Sequence, residues 1–389
     1  MADRIGRLRQ RLAEQGIDGA VIRRPPNIYY LTAYSPGVSR PGFVVVSPER
    51  AVLVAPGSAD GLRAAVRGRV EVIAYRVPGA TVDAVADVDE LSGEALGTAL
   101  EQAGLGGRRV GIEEAAISVR HFDVVRQRVG ATGPHGGFGP AGRGSTVSLA
   151  GEVEALRRVK DTEELALFRA AVGCNDVGFE AARRTIVPGV TEFQIERAIV
   201  AAMEAAAGVP IDILDDTNGI ISGPRTAGVV GLATGRRLER GDLVIVDLNP
   251  FINSYKGDTT RTFSVGEPSA EHRRLYDVVR RSLERMETRV RPGTRGRDVY
   301  AVFAETVAEA GYSDGMIGHG GHAIGLEHLE RPYIIAGEDM PLEEGMTITL
   351  EPGLYLPGVG GMRLEDNYVV TSSGVELLSH YSRELIRCD

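Results

Sequence analysis

The sequence predicts two domains, an α/β unit over residues 1–147 followed by an α+β unit over 148–389. Three observations carry this. The chain of 389 residues has room for two or three domains of about 100–200 residues each. The stretch GATGPHGGFGPAGRGS (130–145) is dense in Gly and Pro and has no periodicity, as a loop near a domain boundary does. The pattern also changes across it. Helical and strand patterns alternate before it, whereas helices and strands come in separate runs after it.

In the first unit, Ile5, Leu8 and Leu12 have helical spacing within residues 2–15. Short apolar runs bounded by Gly, Pro or charge then read as strands: 19–22, 43–46, 52–55, 70–74 and 110–112. Residues 83–103 read as a helix. From Ser148 the sequence is strongly helical to about 184, and Asp161 with Glu164 forms a capping box for the second helix of that run. Thr191 and Gln194 open another helix in the same way. Strand-like runs follow at 243–248, 260–265, 346–350 and 368–371, with helices at 270–290 and 297–310.

Composition narrows the function. The hydrophobic fraction of 43% and charged fraction of 25% are those of an ordinary globular protein. No apolar run approaches the roughly 18 residues of a membrane span, so no membrane association is expected. A net charge of −9 argues against binding nucleic acid, which needs basic surface to neutralise phosphates. The charged N-terminal segment shows no secretory signal, and two cysteines cannot build a disulfide framework, so a cytoplasmic location is expected. Arginine supplies 42 of the 44 basic residues, and Lys160 and Lys256 are the only lysines. A coding bias explains this, and no function is read from it.

The candidate chemistry lies in the second unit. His319, His322 and His328 fall within the ten residues HGGHAIGLEH, among glycines that permit close backbone approach. Asp247 ends one apolar strand run, and Asp258 opens the next eleven residues later. A strand–turn–strand arrangement sets these carboxylates side by side, although two ordinary turn aspartates would read the same. Alternation places Thr347, Thr349 and Glu351 on one strand face. Glu365 follows fourteen residues later, in the next strand. Carboxylates with one or two imidazoles suit hard or borderline divalent cations. Two such ions, bridged by carboxylates, polarise a carbonyl and activate water. No GxSxG, HExxH, P-loop or CxxC motif occurs.

These residues resemble the M24 metallopeptidase family, the pita-bread enzymes that include prolidase, Xaa-Pro aminopeptidase, methionine aminopeptidase and creatinase. The resemblance rests on Asp247, the DTTRTF run (258–263), GHAIGL (321–326), EPG (351–353) and LED (364–366), and it covers roughly 150–389. The first unit is similar to a creatinase-type N-terminal domain, most visibly at PPNIYYLT (25–32). The resemblance implies that Asp247, Asp258, His322, Glu351 and Glu365 hold two divalent metals, from among Mn, Co, Zn or Fe with Mn favoured. It further implies a bridging hydroxide attacking a carbonyl and Glu351 as general base. Thr260 and Arg363 adjoin these ligands. A homodimer is also implied, with the N-terminal domain completing a neighbouring subunit's site.

Two departures stand out. Family peptidases carry a histidine soon after SGP (222–224), where Val230 or a neighbour stands here. They carry another seven residues after the metal histidine, where Leu329 stands, and His328 lies one residue early. On a strand-like segment His328 points to the face opposite its neighbour. It therefore serves as a catalytic residue only if the loop shifts by one position, and His319 pointing inward is the other candidate to replace the missing histidine. The sequence predicts a metal-dependent hydrolase resembling an Xaa-Pro aminopeptidase or dipeptidase, with weak cleavage of ordinary Xaa-Pro peptides. The alternatives are a pita-bread enzyme acting on a small non-peptide substrate, as creatinase-like and lyase-like members do, and a catalytically silent binding protein.

Overall fold

The computed structural model describes residues 3–35, 40–76, 87–130, 144–211 and 219–389. Residues 131–143, most of the Gly/Pro-rich stretch, and 83–86, the start of the expected helix at 83–103, lie outside them. The chain divides into two compact units, Met1–Arg157 and Arg158–Asp389.

The first unit is built on a six-stranded mixed sheet. Gly19–Ile22 pairs antiparallel with Phe43–Val46 and parallel with Arg109–Ile112. Ala51–Pro56 and Glu71–Tyr75 extend one side, and Ser145–Ser148 extends the other. The inner strands are buried along their whole length, so they read as continuous apolar runs without alternation. Helix Val88–Gln102 starts where the Asp87 side chain accepts the Glu90 N–H. It packs Leu96, Ala99 and Leu100 on the sheet. A further helix, Val119–Val129, carries Val125 and Val129 into the same core.

The second unit has two helix-and-sheet halves. In the first half, helices Thr162–Thr185 and Glu192–Ala207 begin with the expected capping boxes at Asp161 and Thr191. They cover a four-stranded sheet in the order 386–388, 259–265, 243–248, 219–222. In the second half, Ala270–Arg289 and Gly296–Glu309 cover a five-stranded sheet in the order 330–333, 322–323, 347–350, 366–370, 375–377. A two-stranded ribbon, Gly353–Leu356 with Gly360–Arg363, adjoins them. The halves are stitched by polar side chains. Thr262 Oγ1 donates to Arg363 O at 2.8 Å, and Asn367 Nδ2 donates to Asp258 O at 2.5 Å.

Two corrections concern the site. Glu365 is not within a strand. It occupies the gap between Gly360–Arg363 and Asp366–Val370, where its N–H donates to Thr260 O at 3.2 Å. The segment around His328 is not strand-like either. Residues 325–329 form bends between the two-residue strand His322–Ala323 and Glu330–Tyr333, so strand alternation does not govern where His328 points. Among the described residues, no helix is long and apolar enough to cross a membrane.

Candidate metal centre

Asp247 stands near the end of Leu243–Leu248, directly opposite Thr260 in the antiparallel ladder. Asp258 immediately precedes the neighbouring strand. The ladder register therefore converts a separation of eleven residues into adjacency. Single oxygens of Asp247, Asp258 and Glu365 lie within 4.8 Å of one another. From the other half, His322 Nε2 lies 3.3 Å from Asp258 Oδ2 and 3.4 Å from Glu351 Oε1. All five expected donors converge, and all are buried.

The supporting bonds orient the donors. His322 Nδ1 lies 2.9 Å from Ala323 O. A carbonyl can only accept, so Nδ1 carries the hydrogen and Nε2 faces the carboxylates, as a metal-binding imidazole requires. Gly321 makes this possible, because its φ of +142° and a contact of 2.2 Å between a built Cβ and Thr349 O leave no room for a side chain. On the acid side, Arg363 Nε donates to Thr260 Oγ1 at 3.0 Å, and Thr260 Oγ1 donates to Glu365 Oε2 at 2.8 Å. The Arg363 guanidinium also pairs with Asp247. Arg363 and Thr260 thus sit where the sequence placed them. Tyr355, whose hydroxyl accepts from Arg363 at 3.2 Å, was not legible in the sequence, because its LYL context gives no polar signal.

Four buried carboxylates repel one another. Burial pushes Asp247 up to about 6, helped by the charges of Asp258 and Glu351 and opposed by Arg363. Burial and the same three neighbouring carboxylates hold Glu365 well above the usual range. Asp258 falls well below it, because His328 and His322 outweigh its burial. Glu365 Oε1 is buried with no hydrogen-bond partner. A buried carboxyl oxygen without a partner, among three further carboxylates, fits a cation site. The donor set of carboxylates with imidazole has the chemistry expected for divalent ions.

The sequence made His328 conditional on the path of its loop. Its Nε2 meets Asp258 Oδ2 at 2.8 Å, so the bend turns it into the site, as its catalytic role required. Burial lowers its affinity for protons, but Asp258 outweighs this and raises it to about 9. His319 also faces inward, with Nε2 3.0 Å from Glu351 Oε1. Val230 and Leu329 are largely solvent-exposed, at 63% and 54%, and offer the site no donor.

Comparison with known proteins agrees with this geometry. Residues 166–372 match the model of metallopeptidase family M24, and residues 4–159 match the creatinase/prolidase N-terminal domain. The chain is 28% identical to an Xaa-Pro dipeptidase of Pyrococcus furiosus over 388 residues, covering 99% of this chain and all of that protein. It is 34% identical to the probable dipeptidase PepE of Mycobacterium tuberculosis over 232 residues, 59% of this chain and 61% of that one. The structure of an Xaa-Pro dipeptidase from Bacillus anthracis superposes with a TM-score of 0.85 at 27% identity, covering 99% of both chains. With more than half its length matched by the family model, the chain belongs to metallopeptidase family M24, a metal-dependent hydrolase of two-domain pita-bread architecture.

Proposed function

We propose that this protein is an Xaa-Pro dipeptidase, a cytoplasmic homodimer using two divalent metal ions, manganese by preference. Asp247, Asp258, His322, Glu351 and Glu365 are the proposed ligands. The observation that carries the reading is the position of His328, 2.8 Å from Asp258. A second imidazole reaches the donor cluster although leucine fills the slot where sequence comparison expects it. This answers one of the two departures and supports Xaa-Pro cleavage, whereas the Val230 position still brings no imidazole. The silent-binding reading gains nothing from the site, because all five metal donors are present; the non-peptide reading keeps only the absent histidine at Val230.

Bound divalent metals would polarise the scissile carbonyl and lower the pKa of water at this donor set. The chain's own groups supply the rest. Glu351 is the proposed general base, taking a proton from the attacking water and passing it to the leaving prolyl nitrogen. Its Oε1 is steadied by His319 at 3.0 Å and Thr349 Oγ1 at 3.3 Å. Burial alone would raise its pKa, but His319, His322 and Arg363 outweigh burial and keep it a carboxylate. His328, with its side chain 29% exposed, is the donor for the oxygen on which charge develops.

The N-terminal domain, 1–147 from the sequence, supplies none of the proposed ligands. Its proposed role is to shape the substrate entrance of the second copy. The two buried cysteine thiols, Cys174 and Cys388, suit a reducing compartment. The test is kcat/KM on a panel of Xaa-Pro dipeptides and matched non-proline dipeptides with Mn²⁺, alongside metal stoichiometry and light scattering. Xaa-Pro selectivity at about 10⁴ M⁻¹s⁻¹ or above, within the usual enzyme range, with two metals per chain and a mass near twice 41.5 kDa, is expected. Turnover of neither dipeptide class by the fully metal-loaded protein would overturn the peptidase assignment.

A further inference from the structure

The chain uses arginine almost everywhere, yet it has two lysines, both buried, and both meet one turn: Lys160 through its side chain and Lys256 through its backbone N–H. That turn, 325–330, carries His328. Lys160 Nζ donates to Glu330 Oε2 at 2.9 Å, with side chains 1% and 8% exposed. Glu330 Oε1 accepts the N–H of Glu327, the residue before His328, at 3.3 Å. The Lys256 N–H donates to Gly325 O at 2.9 Å, and Gly325 N–H donates across the turn to Glu327 O at 3.2 Å. A Cβ built on Gly325 would lie 2.9 Å from Lys160 Cε and 3.1 Å from Nζ. The turn thus rests directly on the lysine side chain. A compact ammonium fits this space, whereas a planar guanidinium needs more room. This gives a physical reason for lysine at position 160 in an arginine-rich chain.

We infer that Lys160 is a positioning residue, which acts through Glu330 to set the turn that presents His328 to Asp258 and to the substrate. The inference rests on the proposed role of His328. A turn of consecutive bends lacks the ladder that fixes a strand residue, so side chains add to the two backbone bonds at Gly325 in holding it. A buried ion pair with both groups hydrogen-bonded is a directional anchor of this kind.

The experiment is a double-mutant cycle between the anchor and His328. Removing Lys160 alone takes the cation away from the buried Glu330 carboxylate. The anchor is therefore removed as the neutral pair Lys160→Met with Glu330→Gln, with Lys160→Met alone as a second variant. Each is made with and without His328→Ala, loaded with Mn²⁺ and checked for fold and metal content. The neutral pair is expected to bind both metals, keep KM within about twofold and lose about 10–100-fold in kcat, as a displaced catalytic group does. In the His328→Ala background it is expected to cost nothing further. A readout independent of turnover is the histidine-ring NMR spectrum of the metal-free protein, with the His328 signals assigned by their loss in His328→Ala. Those signals are expected to broaden or multiply in the neutral pair. If the kcat losses multiply in the cycle, or the ring signals stay unchanged, Lys160 does not act through His328. Full activity in His328→Ala would remove the role of His328, and the positioning role with it, without touching the metal site. Absence of Xaa-Pro cleavage in the wild type would count against the proposed substrate alone, and the ring signals would still decide the anchor.

Discussion

The acid and histidine sides of the metal centre are held by different means. Asp247 lies in a strand and Asp258 immediately precedes its neighbour, and the register of the two strands extends over six residue pairs, from Thr259–Leu248 to Ser264–Leu243. Their spacing is fixed by backbone hydrogen bonds that any sequence with the right pattern would form. His322 sits on a two-residue strand with an irregular register, and His319 and His328 lie on neither strand nor helix. Their positions depend on Gly321, on the Ala323 carbonyl and on the Lys160–Glu330 pair. One side is built by secondary structure and the other by particular side chains. Geometry on the acid side therefore follows from local pattern, whereas geometry on the histidine side requires distant residues to arrive.

The largest expected effect tests whether the acid side carries the metals. Asp258→Ala removes an atom shared by two of the three donor groups. It should lower kcat/KM by about 10³-fold or more, the scale of several kcal/mol of metal catalysis, and drop metal content below two per chain by elemental analysis. His328→Ala should keep both metals and lose about 10²–10³ in kcat, as for a missing oxyanion donor. Metal loss in the second variant would show that the two sides are not separable.

Arg363→Gln comes next. It removes the charge beside Asp247 and the donor to Thr260. A loss of about 10–100-fold in metal affinity is expected, as for other residues that orient ligands, and calorimetric titration with Mn²⁺ would measure it. An unchanged affinity would mean that the ladder alone orients the acid side.

Protonation sharpens the contrast further. Asp247 is raised to about 6 by burial, then by Asp258 and Glu351, so it takes up a proton as pH falls through that value. A protonated carboxyl does not ligate. Metal affinity should therefore fall as pH drops through about 6, with Asp247 contributing up to about tenfold per unit and Glu365, also held above the usual range, acting in the same direction. For the metal-free protein the sign is opposite. Asp247 binds its proton more tightly folded than unfolded, so this group favours folding more at pH 5 than at pH 7. Comparing melting curves of the metal-free protein at both pH values, with and without Asp247→Asn, isolates that contribution.

The smallest effect concerns the support next to Lys160. Asp161 caps helix Thr162–Thr185 by accepting the Glu164 N–H at 2.9 Å. Asp161→Ala should cost about 1 kcal/mol of stability by denaturant unfolding and leave kcat unchanged. A marked fall in kcat would place the helix start, rather than the ion pair, in control of the His328 turn.

The sequence was informative wherever function followed from local pattern. The capping boxes at Asp161 and Thr191, the strand at 243–248 and the spacing from Asp247 to Asp258 were legible because helix caps and strand registers are set by residues a few positions apart. The five donors in order were legible through the resemblance of their motifs to the M24 family. The path of the chain from Gly325 to Glu330 was not. No periodicity describes a run of bends, and the rule of strand alternation does not apply to His328. Gly219–Ser222, which completes the acid-side sheet, was not read as a strand. Tyr355, the His319–Glu351 bond and the Lys160–Glu330 pair were set only by tertiary structure. The last joins residues 170 positions apart. Local pattern determined which groups can bind metal. Packing decided which imidazole reaches them, because a side chain on an irregular turn is oriented by whatever lies beneath it.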